Sequence, residues 1–454
     1  VIIPLAADDP LVISESLPPS LRFMVLSRAS AGNTVTPYAD NSQTYTSHPA
    51  HQVFLREYDE NAHATGRLLA GAAGGLPTWD DVKRQASGAL GLRLTDADAL
   101  NVPVVLADAY GNVVPGPARG LPQYVTSTGL VEGDTSTPVA VPSDVLRVGT
   151  PFLSDVAHAA DPSRPGYDAA LLGRHYVAGD SRANENIGLT AIHQIFHSEH
   201  NRLAGDIQRI VGSSAEWTGT RIFQAAKFID EMEYQHIVFE EFARKIQPAI
   251  DPFASYQDEI NPAIYAEFAH AVYRFGHSML TETIARTGTD GGDDSVPLLD
   301  GFLNPDAFTN GGTLSPEQSA GEIVTGMSGQ TGNEIDEFVT GTLRNKLLGL
   351  PSDLAAINIA RGRSESVPPL NAFRRGLRLT PYLNWVDFGE HLKHPESLVN
   401  FIAAYGTDPS IRSASGAAAK RAAAEALMDS PDFLYAPASS SGLDDVDLWI
   451  GGLA

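Results

Sequence analysis

The sequence predicts a mainly α protein, a single large helical domain with minor short strands. Three observations carry that expectation. From residue 186 onward apolar residues recur at helical spacing, with Ile187, Ile192, Ile195, Phe196, Leu203, Ile207 and Ile210 in one run. Before residue 150 the chain is rich in Pro, Gly, Asp and Thr, and its helical runs are short. No linker separates the two stretches, so residues 1–454 read as one folded body.

Taken in order, "HPAHQVFLREYD" and "TWDDVKRQASGAL" are the helices expected in the first third. "NVPVVLADAYGNVVPG" alternates apolar and polar residues around "YGN" and reads as a small hairpin. A long helix follows from 186, and a second spans about 217–246, with Ile222, Phe223, Ala226, Ile229, Ile237, Phe242 and Ile246 on one face. A third covers about 262–280. A fourth covers about 315–349 and opens on "SPEQ", a Ser-Pro start with an acid in its first turn. "DLAAINIARGR" begins another, and the Ala-rich "GAAAKRAAAEALMD" suits a peripheral helix. "TGTDGGDDS" at 287–295 is a polar turn.

Composition narrows the function. A hydrophobic content of 43% is enough for a real core. The net charge of −24 argues against nucleic acid and anionic membranes, which want clustered Lys and Arg. With no Cys, the chain has no disulfide, no thiolate nucleophile and no Cys-ligated metal. No apolar run approaches the roughly 18 residues of a membrane helix. The acidity suits a secreted protein, and the chain opens mid-pattern on "VIIPLAADDPL", so we expect a piece of a longer polypeptide.

Three stretches concentrate polar chemistry. "GDSRANENIGLTAIHQIFHSEHNRLA" (179–204) places Arg182 and Glu185 three apart, ahead of His193, His197 and His200. His193 and His197, at i and i+4, could face one zinc ion. The preferred reading is an ordinary polar helix face, because no Glu directly follows the first His. "FAHAVYRFGHSMLTETI" sets His277 in an apolar helix, where Phe268, Val272, Phe275 and Leu280 should bury it. A lone buried His is more often satisfied by a core hydrogen bond than by a metal. "DLAAINIARGRSESVPPLNAFRR" buries Asn358, whose amide needs partners, and follows it with Arg361 and Arg363, a natural clamp for carboxylates.

Together and in this order, "GDSRANE…HSEHNRLA", "YRFGHSML" and "LAAINIARGR…LNAFRR" resemble the haem peroxidases of the animal-type peroxidase–cyclooxygenase superfamily, in the style of its bacterial branch. "VTPYADNSQTYTSHPAHQVFLREY" and the closing "DVDLWIGGLA" resemble further parts of that family's catalytic core. The resemblance implies haem b as cofactor, with His277 as the proximal ligand on iron and Asn358 as the partner of its other ring nitrogen. It implies that Arg182 is the distal arginine and that Glu185 lies near the haem. In mammalian members that carboxylate forms an ester to the haem; an ordinary helix-entry acid is the alternative. Arg361 falls near a haem propionate. Calcium is implied at Thr36, Tyr38 (through its carbonyl), Asp40 and Ser42, with a plain polar turn as the alternative.

The family also uses a distal His in an Asp-His helix ahead of the calcium loop. None of the 13 His here follows an Asp, and residues 1–34 hold no His. The expectation is therefore a domain lacking the distal-His helix and the extreme C-terminal part. "RGRSESVP" also departs from the family's usual continuation after Arg-Gly-Arg, so the resemblance does not carry haem contact over to that loop. The implied reaction is reduction of hydrogen peroxide and oxidation of small aromatic donors or halides through a ferryl intermediate. Two alternatives stand beside it. One is a haem-dependent fatty-acid dioxygenase, for which Tyr273 is the nearest tyrosine to His277. The other is a non-catalytic adhesion or matrix module that keeps the fold.

Overall fold

A computed structural model describes residues 38–454, together with the backbone of strands β1 (Ile2–Pro4) and β2 (Phe23–Val25), which pair antiparallel. Thr36 lies outside the described residues. The fold is mainly helical, and among the described residues the strands form only two-stranded ladders. Backbone contacts group the chain into two compact units, taken separately here: Tyr38–Ile260 with Thr283–Gln330, and Asn261–Glu282 with Thr331–Ala454 and residues 1–37.

In the first unit, aromatic side chains fill the core. Trp79, Phe54, Phe152, Tyr124 and Phe223 are at most 1% exposed. Helix α1 (Pro49–Leu55) starts at His48, whose Nδ1 accepts from the Ala50 amide, and carries Pro at its first position, where no N–H is needed. It stops before the expected Asp59. Arg56–Tyr58 is instead strand β3, paired with β4 (Ala64–Leu68). The reason is Arg56, 1% exposed, whose guanidinium is bound by Gln52, Asn112 and the Tyr110 carbonyl. Helix α2 (Trp79–Gly88) forms where "TWDD" predicts it, closed by a capping box between Thr78 and Asp81. The 102–115 hairpin is present, with Ala107 paired to Val113.

Helix α3 (Ile187–Val211) has the expected length but not the expected face. Ile192, Ile195 and Ile210 are 44%, 38% and 80% exposed, while His193, His197 and His200 are 3%, 4% and 0% exposed. The polar-face reading of these histidines is therefore corrected. They are buried because α3 lies against β4 and its flanks, where backbone carbonyls await donors. His197 Nε2 lies 2.8 Å from the Leu69 oxygen and His200 Nε2 lies 3.2 Å from the Gly66 oxygen. Asn201 makes two bonds to the Leu68 backbone at 2.8 and 3.1 Å. Hydrophobic periodicity cannot see a helix face that buries imidazoles on carbonyls.

Helix α4 (Gly219–His236) continues through a π-helical turn, Ile237–Ala243, into Arg244–Ile246. Its first half buries Ile222, Phe223 and Ala226, whereas Ile237, Phe242 and Ile246 are exposed. Gly219 lets α4 meet β4: a Cβ there would sit 1.6 Å from the Ala64 oxygen. The fourth expected helix is shorter than predicted. Helix α5 (Pro316–Gly329) is closed by Ser315 and Gln318 rather than by the neighbouring Glu317. It ends where Gly326, Gly329 and Gly332 lower helix propensity.

In the second unit, the expected helix over 262–280 breaks at Ala271 (φ −134°, ψ −70°) into Ala266–His270, a 3₁₀ turn Val272–Phe275 and one α turn Gly276–Met279. Helix α6 (Leu354–Ser364) starts at Asp353, whose carboxylate accepts from the Ala356 amide at 3.1 Å. Trp385, Phe388 and Ile402 form a small core. The Ala-rich helix Ala417–Leu427 buries only Ala424, as its composition predicts.

Candidate functional site

In the second unit, His277 stands on the single turn Gly276–Met279, with its ring half-buried. The expected apolar cover is only partial, since Phe268 and Val272 are 49% and 42% exposed. The break at Ala271 destroys the helical stripe that would have aligned them with Phe275 and Leu280. Asn358, wholly buried on α6, brings its amide nitrogen to 2.7 Å from His277 Nδ1. Its own Oδ1 then has no partner. The two ends of an amide have the same shape, so orientation follows from the bonds they make. Turning the amide lets Oδ1 accept from an Nδ1–H and puts Nδ2 where Oδ1 has no partner. That arrangement leaves Nε2 as a bare lone pair. Burial, then the charges of Arg274 and Arg361, push the imidazole pKa down to about 4, so the ring is neutral. Arg361 is exposed on α6. Arg363 is committed elsewhere: its Nε and Nη2 hold both Asp447 oxygens, at 2.9 and 2.6 Å.

In the first unit, Arg182 and Glu185 lie in the turn that leads into α3. The guanidinium is held bidentately by Asp180, with Nε–Oδ1 at 3.0 Å and Nη2–Oδ2 at 2.6 Å. The Arg182 amide also donates to Asp180 Oδ1, at 2.9 Å, so backbone and side chain are locked by one carboxylate. Glu185 is half-buried; burial, then Asp155, raise its pKa against the pull of Arg182. Burial, partly opposed by Arg182, likewise raises Asp155. One cation thus sits among three carboxylates. Asp155 and Asp180 escaped the sequence reading; the Asp two residues before Arg in "GDSR" was the signal for the second.

At the start of the same unit, Tyr38 is exposed, while Asp40 and Ser42 are half-buried. The Ser42 amide donates to Asp40 Oδ1 at 3.2 Å. Glu231 on α4, another residue the sequence reading missed, feels the Asp40 charge and is raised mainly by burial. The three α3 histidines are neutral, their pKa values pushed by burial to about 4, 4 and 3 for His193, His197 and His200. They form no three-ligand cluster. Among the described residues that geometry occurs at Glu334, Asp336 and His394. There Lys393 Nζ already lies 3.1 Å from the Glu334 carboxylate, which makes an ion-pair knot.

The sequence model of the family described as animal haem peroxidase matches residues 157–433, more than half of the chain. The chain belongs to that family. The matched stretch contains Arg182, Glu185, His277, Asn358 and Arg361, but not the 38–42 loop. Among curated relatives, the peroxidasin homolog of Homo sapiens is 29% identical over 246 residues, 51% of this chain and 16% of the relative. Peroxinectin A of Dictyostelium discoideum is 30% identical over 248 residues, 52% of this chain and 44% of the relative. The chain therefore spans less than half the length of either. Of solved structures, peroxidase A from Dictyostelium discoideum superposes with a TM-score of 0.54 at 20% identity, over 92% of this chain and 57% of that one. That likeness speaks for the fold of this animal haem peroxidase family member. No helix among the described residues is long and apolar enough to cross a membrane.

Proposed function

We propose that this chain is the catalytic domain of a haem peroxidase that reduces hydrogen peroxide and oxidises small aromatic donors or halides. The observation that carries the reading is the His277–Asn358 pair, a neutral imidazole with one nitrogen engaged by a buried amide and the other bare. Those residues fit a haem: His277 would hold the iron through Nε2, and Asn358 would orient the ring and strengthen it as a donor. The bound haem would supply the redox chemistry of peroxide cleavage. Arg182, pinned by Asp180, offers a fixed positive charge toward a peroxide anion without reorganising. Glu185 would lie at the haem edge, where its carboxyl is the candidate for a covalent link. Arg361 would pair with a propionate. Tyr38 (carbonyl), Asp40 and Ser42, with Thr36, would hold calcium through hard oxygen donors. The protein acts outside the cell as a module of a longer polypeptide.

The test uses the complete polypeptide. His277→Ala should abolish both the Soret absorbance and peroxide-dependent dye oxidation. Asn358→Ala should keep haem but lower turnover about 10–100-fold, the usual cost of losing a ligand's orienting partner. Unchanged colour and turnover in His277→Ala would overturn the reading.

A further inference from the structure

Beneath the candidate cation loop lies a buried carboxyl that the peroxidase reading does not use. Asp230, on α4, is 0% exposed. Its Oδ2 lies 2.6 Å from Tyr45 Oη and 3.1 Å from Asn41 Nδ2, while Oδ1 has no partner. Tyr45 Oη in turn lies 2.8 Å from His200 Nδ1.

Counting protons along this chain settles who donates. His200 Nε2 is 3.2 Å from the Gly66 carbonyl oxygen, and only a proton on Nε2 makes that contact attractive. The ring is neutral, so Nδ1 is a bare acceptor. The single Tyr45 proton must go to it. Tyr45 Oη can then only accept at its short contact with Asp230, so below about pH 7 Oδ2 carries a proton. The opposite order would set an imidazole lone pair against a carbonyl oxygen. It would also bury an anion with one unpartnered oxygen, which is the costlier state. The charges acting on Asp230 point the same way: Glu233, Glu199 and Glu231 are all acidic.

Asn41 is the other end of the chain. It occupies the left-handed region, at φ 50° and ψ 37°, between Asp40 and Ser42. Non-glycine residues avoid that region unless something holds them. Here both ends of the amide are held, since Nδ2 donates to Asp230 and Oδ1 accepts from Thr44 Oγ1 at 2.9 Å.

We propose that Asp230 is a positioning residue acting as an un-ionised carboxylic acid: by donating to Tyr45 and accepting from Asn41, it fixes the turn that presents Asp40 and Ser42 to a divalent cation. The loop half of this inference rests on the calcium reading above; the protonation half does not.

Two variants separate the alternatives. Asn at position 230 can still accept from Asn41 in the place of Oδ2 but cannot also donate to Tyr45 from that atom, whereas Ala keeps neither bond. In the full chain, Asp230→Asn should retain terbium and calcium affinity within about 3-fold of wild type, and Asp230→Ala should lose at least about 10-fold. The infrared difference spectrum of wild type minus Asp230→Asn, taken near pH 6, should contain a protonated-carboxyl C=O band. Absence of that band overturns the acid, and an Asn variant as damaged as the Ala variant overturns the hold on Asn41. If wild type binds neither ion, the calcium reading falls and takes the loop role with it. The infrared band still decides the acid.

Discussion

Lowering the pH from about 7.5 to about 5.5 should destabilise the first unit, by an amount set by its buried titratable groups. His51, His193, His197 and His200 are 2%, 3%, 4% and 0% exposed, and burial lowers their pKa values to about 3, 4, 4 and 3. In the unfolded chain each titrates near 6.5. Their contribution to stability is thus fully present above pH 6.5 and is lost as the pH falls toward the folded values, because the unfolded state binds protons the folded state refuses. Over that interval each His costs about 1.4 kcal/mol, so the four together cost roughly 5–6 kcal/mol. Asp230 works in the opposite direction. Its pKa is raised by burial to about 7, so the folded state takes up a proton that the unfolded carboxylate does not, and this returns about 2 kcal/mol. Asp155, Glu185, Glu231 and Glu233 are also raised and trim the loss further. The net expectation is a fall of roughly 2–4 kcal/mol, read as a lower urea midpoint with hydrogen exchange of the α3 amides as local reporter. Asp230→Asn should steepen the fall, since it removes the opposing group. Stability that is flat or rises between these two pH values would refute the burial of neutral imidazoles on α3.

Two other perturbations test how the units are held together internally. Gly219→Ala would place a methyl 1.6 Å from the Ala64 oxygen, backbone against backbone with no side chain to yield. It should cost at least about 3 kcal/mol and deprotect the β4 amides in hydrogen exchange; a wild-type melting curve would contradict the docking of α4 on β4. Arg363→Lys removes the bidentate grip on Asp447, which also accepts from Tyr405 Oη at 2.8 Å. Because Arg363 is mostly exposed, the loss should be only about 1 kcal/mol, a melting shift of roughly 2–4 °C.

Secondary structure was legible wherever local signals decide it. "TWDD" carried its capping box, "YGN" its hairpin turn and "SPEQ" its Ser-Pro start. It was misread where partners far along the chain decide. The α3 histidines face inward because β4 and its flanks supply carbonyls more than 120 residues away, at Leu69 and Gly66. The "REY" after α1 leaves the helix because a buried Arg56 is bound from Tyr110 and Asn112. Nothing in "IDEMEYQ" singles out Asp230, because its partner Tyr45 lies 185 residues earlier.

The same logic explains why His277 and Asn358 were the most informative residues in the chain. Taken separately, each is a polar group in an apolar segment, and each raises the question of what satisfies it. Sequence spacing offers no reply, since 81 residues separate them. The structure makes each the other's partner, and one incompletely. The amide is buried and can satisfy only the Nδ1 side of the ring, so the pairing creates a neutral imidazole whose remaining nitrogen cannot be quenched from within α6. His200 has both nitrogens engaged, at Tyr45 and Gly66, and where His197 leaves Nδ1 bare that atom is sealed in the core, whereas the His277 ring is only half-buried. Satisfaction on one side and a bare nitrogen on a ring that is not sealed in the core is what distinguishes a ring built to bind from a ring built to pack.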